Sequence, residues 1–373
     1  MIAVTSDILH PVSESSVMSS PAPPKLTTLY LYPSAGCNLA CRHCWVNGSG
    51  AQNTGFERRP KMADEISPGE ILSYTRQARE MGARFVKLTG GEPLLRADLD
   101  EIYRGLIQQG FGVSVETNGT VFDDSIVELM KEAPPRQVSV SLDSADREVH
   151  DDFRGVPGCW ERTIAFIRHI VSANVATQVI MSTNSHSLGA VDDMARLLDG
   201  VGAKSLKINF ITPLGRGGKL VSAHRSDIAE RIEFTRAVYD RYGSGISINI
   251  PPAFVPLKRL PLRGRCNIRN LIGILPDGHV SFCGIGLSLP DLVFGNLRES
   301  SLREIWSTAP QLAEIRAVIP DRLKGICSRC IHRLTCLGGC VMENYALSGD
   351  LAAPHVFCQR AEEAGLFPPT RKL

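Results

Sequence analysis

Residues 27–45 read TTLYLYPSAGCNLACRHCW, a β-rich run followed at once by three cysteines. The run over 27–32 is built of threonine, leucine and tyrosine, a composition typical of a β-strand. Cys37, Cys41 and Cys44 come next, in the arrangement C-x3-C-x2-C. A strand that delivers three thiols on one short loop predicts a metal or iron–sulfur site at the end of that strand.

Outward from this stretch, strand-like and helical segments alternate. Further strand-like runs occupy residues 84–89, 111–116, 136–142, 176–182 and 205–211. Amphipathic helical stretches lie between and after them, at about 66–82, 98–109, 124–132, 160–172, 188–199 and 226–242. Such alternation predicts an α/β fold, a parallel sheet with helices packed outside it. Six units predict a partial (β/α)6 TIM-like barrel, because a closed barrel needs eight, and a doubly wound sheet is the alternative.

Composition bounds the domains and the partners. Among the 373 residues, 41 Lys and Arg against 39 Asp and Glu leave a net charge of +2, so nucleic acid is not an expected partner. No apolar run is long enough to span a membrane, and the N-terminus lacks the pattern of a secretory signal. We therefore expect a cytoplasmic protein with reduced thiols. The expected organisation is a flexible arm over 1–25, the barrel over 26–250 and a small Cys-rich domain with a C-terminal tail over 251–373.

Polar and glycine-rich motifs follow the next three strands. They comprise Gly90, Gly91, Glu92 and Pro93 after the second strand, Glu116, Thr117 and Asn118 after the third, and Ser141 with Arg154 after the fourth. The carboxyl ends of the strands of a barrel lie on one side, so these motifs are expected to meet the cysteine loop there. Glycine lets a ligand approach the backbone closely, and an arginine suits a carboxylate.

Together these motifs resemble the radical S-adenosylmethionine (SAM) superfamily. The resemblance implies that Cys37, Cys41 and Cys44 bind a 4Fe–4S cluster whose fourth iron holds SAM. It implies that residues 90–93 receive the SAM amino group, that residues 116–118 contact the ribose, and that Ser141 and Arg154 bind the carboxylate. It also implies reductive cleavage of SAM to a 5′-deoxyadenosyl radical. A zinc loop with a distant fourth ligand is the alternative for the three cysteines.

A second group of seven cysteines lies downstream, at Cys266, Cys283, Cys327, Cys330, Cys336, Cys340 and Cys358. Their spacing and the flanking ILPDGHVSFC resemble SPASM domains, which implies two auxiliary 4Fe–4S clusters and three clusters in all. By this resemblance Cys327, Cys330, Cys336 and Cys358 bind the outer cluster, and Cys266, Cys283 and Cys340 bind the inner one. The inner cluster is one thiolate short, since Leu260 stands where some relatives have a further Cys. Either its fourth iron is open or another side chain closes it. Two zinc ribbons are the alternative.

The resemblance favours a peptide-modifying maturase that oxidises or cross-links a peptide or protein substrate. Such an enzyme needs an electron donor such as flavodoxin or ferredoxin, and a separate peptide-recognition protein is a further candidate partner. A sulfatase-maturing enzyme is disfavoured because Gly284 follows Cys283 where those enzymes carry an Asp. Two further functions stay open, dehydrogenation of a small alcohol or sugar and electron transfer by a non-catalytic carrier. Cys159 belongs to neither cysteine group and is expected to be a partly buried residue near a helix start.

Overall fold

The computed structural model describes residues 23–46, 55–221, 225–243, 245–256 and 266–373. The arm expected over 1–25 lies outside the described residues except for its last three. Those three are already docked, because Trp306 donates a hydrogen bond from Nε1 to the carbonyl of Pro24 at 3.0 Å. Leu26, the next residue, is fully buried.

The described strands are ten. They are β1 (Thr28–Leu31), β2 (Phe85–Leu88), β3 (Gly112–Thr117), β4 (Gln137–Ser141), β5 (Thr177–Thr183), β6 (Leu206–Phe210), β7 (Ile246–Asn249), β8 (Leu271–Ile274), β9 (His279–Ser281) and β10 (Val293–Asn296). The six strands predicted from the sequence are confirmed to within one residue at either end. The strands β7 to β10 were not predicted.

In the described ranges, seven α-helices accompany the first seven strands, and six belong to the downstream region. The former are α1 (Pro68–Glu80), α2 (Leu99–Gln108), α3 (Asp124–Glu132), α4 (Arg147–Arg154), α5 (Cys159–Ser172), α6 (Leu188–Gly200) and α7 (Arg225–Tyr242). The latter are α8 (Leu302–Thr308), α9 (Pro310–Val318), α10 (Gly325–Ser328), α11 (Arg333–Cys336), α12 (Val341–Ser348) and α13 (Val356–Glu363).

The helix α1 shows how closely local sequence sets the boundaries. Ser67 caps its N-terminus, accepting a hydrogen bond from the Glu70 amide, while the Glu70 carboxylate accepts one from the Ser67 amide. Pro68 occupies the first turn, where its missing N–H costs nothing. The buried side chains Ile71, Tyr74, Thr75 and Ala78 then form the stripe that packs inward.

All ten strands form one sheet, in the order β10-β9-β8-β1-β2-β3-β4-β5-β6-β7. From β1 to β7 the spatial order repeats the chain order, and each neighbouring pair is parallel. A doubly wound sheet would reverse its order partway, so the topology is that of a partial barrel. On the other side β8 pairs in parallel with β1, which joins the downstream region directly to the barrel sheet.

The two faces of the sheet differ in character. In β1, β3 and β6 buried residues alternate strictly with half-buried ones. The buried set is apolar and packs under the helices, as in Leu29, Val113 and Ile208. The intervening positions carry Tyr30, Glu116 and their neighbours, so the other face of the sheet is polar.

Candidate functional site

The three-cysteine loop follows β1 and is fixed against α4. The amides of Ala40 and Arg42 donate hydrogen bonds to the carbonyls of Arg154 and Phe153, at 2.9 and 3.0 Å. A turn after β6 supports the same loop, because Arg216 donates to the carbonyl of Cys41 at 2.8 Å through Nε. This turn belongs to the sequence PLGRGG over 213–218.

The three thiols share one apolar environment with hydrogen-bond donors beside it. Cys41 is buried with Leu39 and Cys159, and Cys37 and Cys44 pack against this group. The Nδ2 group of Asn118 lies 3.8 Å from Cys37 Sγ, and the Arg154 guanidinium lies 3.6 Å from Cys41 Sγ. Burial raises the pKa of Cys37 to about 12. Three such thiols on one loop, with donors to two of the sulfurs, fit an iron–sulfur cluster, whose thiolates take hydrogen bonds of this kind.

The glycines after β2 allow the second loop to lie directly against the first. A Cβ on Gly91 would stand 2.1 Å from the carbonyl oxygen of Gly36, and one on Gly90 would stand 2.7 Å from that of Ser34. Gly90 also has φ +136, a conformation that favours glycine. Pro93 follows, buried in a short 3-10 turn over 93–95. The glycine pair is therefore required by packing against the cysteine loop.

Glu92 ties the second loop to the third. Its fully buried carboxylate accepts hydrogen bonds from the Leu94 amide at 3.0 Å, the Thr117 hydroxyl at 2.7 Å and the Asn118 amide at 2.7 Å. Burial raises the pKa of Glu92 to about 7, although these donors and Arg154 act in the opposite direction. The Glu92 carboxyl group therefore locks the second and third loops together.

The third motif divides between two faces. Asn118 points toward the cysteine loop, donating to Asn38 Oδ1 at 3.0 Å and accepting from the Thr120 amide at 2.8 Å. Glu116 points to the polar face of the sheet instead. There it accepts hydrogen bonds from Lys87 Nζ at 2.8 Å and from Thr89 Oγ1 at 3.1 Å. Burial alone would raise the pKa of Glu116. Lys87 and the other partners outweigh this effect, so the pKa of that carboxyl lies below its ordinary value.

The fourth motif contains a buried ion pair. Arg154 Nε lies 2.6 Å from Asp143 Oδ2, and both side chains are almost fully buried. Burial opposes both charges, yet Arg154 holds the pKa of Asp143 below its usual range and Asp143 raises that of Arg154. Ser141, at the end of β4, is half-buried at the same edge. Arg154 is therefore oriented by Asp143 beside the cysteine loop.

Several positioning residues were not found from the sequence. Arg96 is fully buried and donates to the carbonyls of Pro33 and Ile66, both at 2.8 Å. It also pairs with Asp98 at 2.6 Å. The available signal was the Arg-x-Asp spacing over 96–98, which follows TGGEP after two leucines. Cys159, by contrast, lies as expected at the start of α5, fully buried, with its Sγ 3.1 Å from Asp151 Oδ1.

Four of the downstream cysteines surround one cavity. The cavity is small, about 20 Å³, and is lined by Cys327, Cys330, Cys336 and Cys358, together with Pro252, His355 and Phe367 among others. Within the described ranges, no three His, Cys, Asp or Glu side chains are grouped as ligands of a single metal ion. The cavity instead offers four thiols on its walls, a donor set that fits an iron–sulfur cluster.

The remaining three cysteines face the polar side of the sheet. Cys266, Cys283 and Cys340 lie close enough that each thiolate would raise the pKa of another, and burial raises the pKa of Cys266 to about 12. Lys87 and Tyr30 lie beside Cys266, and their own side chains are in contact, with Lys87 Nζ 5.0 Å from the Tyr30 ring centre. We call these three cysteines the inner trio.

Gly284, next to the inner trio, is held by packing. A Cβ at this position would stand 2.6 Å from Cε1 of Tyr32, a side chain that is itself buried. An Asp at this position would therefore displace Tyr32. The packing thus disfavours a sulfatase-maturing enzyme, as the sequence does.

Charged residues lie on the polar face of the sheet, beside the inner trio. Lys207, on β6, is coupled electrostatically to Glu116 and Lys87, and burial lowers its pKa. Glu116 is paired with Lys87, whereas Lys207 forms no ion pair among the described residues. An anionic group of a ligand on this face would therefore stabilise the charged form of Lys207.

None of the helices in the described ranges has the length and hydropathy that a bilayer span requires.

Two family models match the chain. The model of the radical SAM superfamily matches residues 31–198, and SPASM, described as an iron-sulfur cluster-binding domain, matches residues 266–331. The first match covers the cysteine loop and the motifs after β2, β3 and β4. The second covers the start of the downstream cysteine group.

Relatives match over most of the chain. An AdoMet-dependent heme synthase of Methanosarcina barkeri is 28% identical over 87% of this chain and 94% of its own length. The mycofactocin maturase MftC of Mycobacterium ulcerans is 26% identical over 86% of this chain and 85% of its own length. SuiB of Streptococcus suis bound to SAM has the same fold, with a TM-score of 0.69 at 18% identity over 90% of this chain and 78% of that one.

The chain carries a radical SAM domain, matched over residues 31–198, and a SPASM domain, matched over residues 266–331. It is a radical SAM enzyme, and its two domains imply iron–sulfur clusters and SAM as cofactors. The expectation of family, fold and enzyme class from the sequence is confirmed.

Proposed function

We propose that this radical SAM enzyme uses three 4Fe–4S clusters to oxidise or cross-link a peptide substrate. The observation that carries the proposal is the polar face of the sheet, which the inner trio adjoins and whose strand β1 leads directly into the cysteine loop. A polar substrate placed there stands between a site of radical generation and a site that can accept an electron. Tyr30, Lys87, Glu116 and Lys207 supply hydrogen-bonding and charged groups for a peptide.

The residues divide among the cofactors as the sequence predicts. Cys37, Cys41 and Cys44 hold the first cluster, the inner trio holds the second, and the four cysteines around the cavity hold the third. When bound, the first cluster supplies the electron that cleaves SAM to methionine and a 5′-deoxyadenosyl radical. Gly90, Gly91, Glu92 and Pro93 form the loop that binds the SAM amino group, and the buried Glu92 carboxyl group holds that loop in place.

The remaining SAM contacts come from the next two loops. Thr117 and Asn118 fix the loop beside the ribose, with Glu116 at its edge. Ser141 and Arg154 receive the SAM carboxylate, and Asp143 orients the guanidinium for that contact. Since Asp143 already neutralises Arg154, the carboxylate of SAM binds as a third charge in this network.

Iron analysis tests the cofactor assignment. After anaerobic reconstitution the chain should bind about twelve irons, four for each of the three clusters. Replacing Cys37, Cys41 and Cys44 together by Ala should remove about a third of the iron and all SAM cleavage. Replacing Cys159, a buried cysteine outside the proposed ligand sets, by Ala is the matched control and should change neither. Continued deoxyadenosine production by the triple variant, or zinc as the main metal, would contradict the assignment.

Two comparisons support a peptide as substrate. MftC is named a mycofactocin maturase, and one SuiB structure with a TM-score of 0.69 and 17% identity is of the enzyme bound to its precursor peptide SuiA. The direct experiment incubates the reduced, reconstituted enzyme with SAM and short peptides encoded beside its gene. A product lighter by the mass of two hydrogen atoms would mark oxidation or cross-linking. SAM cleavage without any change in peptide mass would contradict the proposal.

A heme precursor is the second candidate substrate. It is favoured by the AdoMet-dependent heme synthase, which matches along nearly its full length, and by the excess cation at Lys207, which suits a carboxylate. None of the sequence motifs pointed to this class of substrate. Incubation with a carboxylated tetrapyrrole in place of the peptide separates the two candidates by the mass of the product.

The partners and the compartment are further parts of the proposal. Electrons for the first cluster come from a flavodoxin or ferredoxin, and a separate protein presents the peptide. The abundance of thiol ligands supports the reducing cytoplasm as the site of action. Reduction of the clusters by purified flavodoxin, followed in the visible spectrum, tests the first of these points.

A further inference from the structure

Two polar side chains of β6, Lys207 and Asn209, lie together on the polar face of the sheet. The apolar residues of this strand are buried, and the two polar residues between them are half-buried. Alternate residues of a strand point to the same face, at a spacing of about 7 Å along the strand. An ammonium group and an amide group are thus presented side by side.

Both side chains lack hydrogen-bond partners in the part of the chain that the structure describes. The Oδ1 atom of Asn209 is buried and accepts no hydrogen bond there. Lys207 forms neither a hydrogen bond nor an ion pair there, and the Glu116 carboxylate that is coupled to it is held by Lys87 at 2.8 Å. A buried acceptor without a donor costs free energy, and so does a half-buried ammonium without an anion. A ligand that supplies both groups would remove these costs.

The polar face is open to a ligand beside these two residues. In the register of the sheet Lys207 lies beside Ser247 of β7, and Asn209 lies beside Asn249. Ser247 and Asn249 are exposed, since β7 is the last strand of the sheet in its described part. Residues 257–265, which include Leu260, lie outside the described residues, so this opening is described from β6 and β7 alone.

The strand β6 leads to the cysteine loop. In the turn that follows the strand, the Arg216 amide donates a hydrogen bond to the Cys44 carbonyl at 3.0 Å. The Nε group of the same arginine donates to the Cys41 carbonyl at 2.8 Å. A ligand held by Lys207 and Asn209 is therefore bound to the strand whose end is fixed to the loop of the first cluster.

We propose that Lys207 and Asn209 form a substrate anchor that recognises a carboxylate next to a peptide group. The Lys207 ammonium pairs with the carboxylate. The Asn209 side chain accepts the peptide N–H through Oδ1 and donates to the peptide carbonyl through Nδ2, because a primary amide is complementary to a peptide group. The substrate class is a peptide with an acidic side chain or a free C-terminus near the modified residue. This inference rests on the proposed function, which places the substrate on the polar face.

The test measures binding by titration calorimetry to the reconstituted full chain saturated with SAM. The first probe is an acetylated, amidated pentapeptide with a central Glu among alanines. The second has Gln in place of Glu, and the third is the Gln peptide with a free C-terminal carboxylate. The wild-type chain should bind the first or the third probe about 10-fold more tightly than the second, because the second cannot form the charge-assisted hydrogen bond. The tighter of the two identifies the source of the carboxylate.

Variants locate the binding site. Lys207→Met should bind the preferred probe no better than the neutral one, whereas Lys204→Met, at an exposed position before β6, should behave like the wild type. Asn209→Leu should weaken the binding of all three peptides about 5-fold, and Asn184→Leu, at an exposed site, should not. Both anchor variants replace a polar group without a hydrogen-bond partner by an apolar one, so the chain should stay folded with unchanged iron content and SAM affinity.

The outcomes separate the anchor from the proposed function. No preference for either carboxylate peptide, or equal affinities of Lys207→Met and the wild type, would overturn the anchor. Loss of SAM affinity in Asn209→Leu would also overturn it, because Asn209 would then belong to the SAM site. Tighter binding of mesoporphyrin, a carboxylated tetrapyrrole without a peptide group, that depends on Lys207 and not on Asn209 would overturn the peptide as the substrate class. Peptide binding through both residues without any change in peptide mass in the earlier experiment would leave the anchor and overturn the proposed reaction.

Discussion

Replacing Arg96 by Met tests how the cysteine loop is held. The Arg96 side chain is fully buried between the loop after β1 and the segment before α1. It donates to the carbonyls of Pro33 and Ile66, both at 2.8 Å, and forms a two-point ion pair with Asp98 at 2.6 and 2.7 Å. One side chain thus fixes the segment that leads directly into Cys37.

The expected loss of stability in Arg96→Met follows from the polar groups that lose their hydrogen-bond partner. Met has a similar length but no donors, so two buried carbonyls and one carboxylate lose their partner. Removing one member of a buried ion pair costs about 3–5 kcal/mol, and a buried carbonyl without its donor costs about 1–3 kcal/mol. These effects are not additive, because one local rearrangement can rehydrate all three groups. We therefore expect a loss of about 3–5 kcal/mol in the free energy of unfolding.

Urea unfolding of the apo chain measures this change, and Arg104→Met is the matched control. Arg104 pairs with Glu132 at 3.0 Å, but its side chain is 53% exposed, so its removal should cost only about 0–1 kcal/mol. Arg96→Lys keeps the charge but cannot form the two-point contact with Asp98. Its loss of stability should therefore lie between those of Arg96→Met and Arg104→Met. Equal urea midpoints for Arg96→Met and Arg104→Met would refute the role of Arg96.

Three further predictions concern the site. The pKa of Glu92 rises from its ordinary 4.5 in the unfolded chain to about 7 in the folded chain, so between these pH values only the folded chain keeps the proton. The free energy of unfolding should therefore fall by up to about 3 kcal/mol as the pH rises from 4.5 to about 7. Urea unfolding at a series of pH values measures this decrease, and Glu92→Gln should not show it. Asn118→Leu removes the donor beside Cys37 and should weaken iron binding by the loop about 10-fold or more in a chelator competition, whereas Asn184→Leu, at an exposed site, should not. Cys330→Ala should make residues near the cavity sensitive to protease while β1 to β7 stay protected; equal protection in wild type and variant would show that this region has a self-sufficient core.

The strands and helices of the barrel could be predicted because each carries its own local signal. The six predicted strands are rich in β-branched residues, and α1 has a complete capping box. The strand β7 was missed because Ile246–Asn249 holds only two apolar residues at its buried positions. The pairing of β8 with β1 has no local signal at all, since it joins residues 28–31 to residues 271–274.

The residues of the candidate site likewise fall into those with a local sequence signal and those without one. The cysteines and the loop motifs could be found because their spacing is short and their residue types are uncommon. The partners that hold them could not, since Arg96 and Arg216 act through contacts with residues distant in sequence. Exposed arginines are frequent, so this residue type alone indicates nothing. Only the fold shows that Arg96 is fully buried and that Arg216 packs against the cysteine loop.

The loops at the mouth of the barrel explain why so many polar side chains are buried there. A loop has no ladder of backbone hydrogen bonds, so its buried amides and carbonyls need partners from side chains. Glu92 accepts a hydrogen bond from the Asn118 amide in the loop after β3, and Arg96 donates one to the Pro33 carbonyl in the loop after β1. These bonds fix the cysteine loop without using the polar face of the sheet. In the function proposed above, that face is therefore left for the substrate.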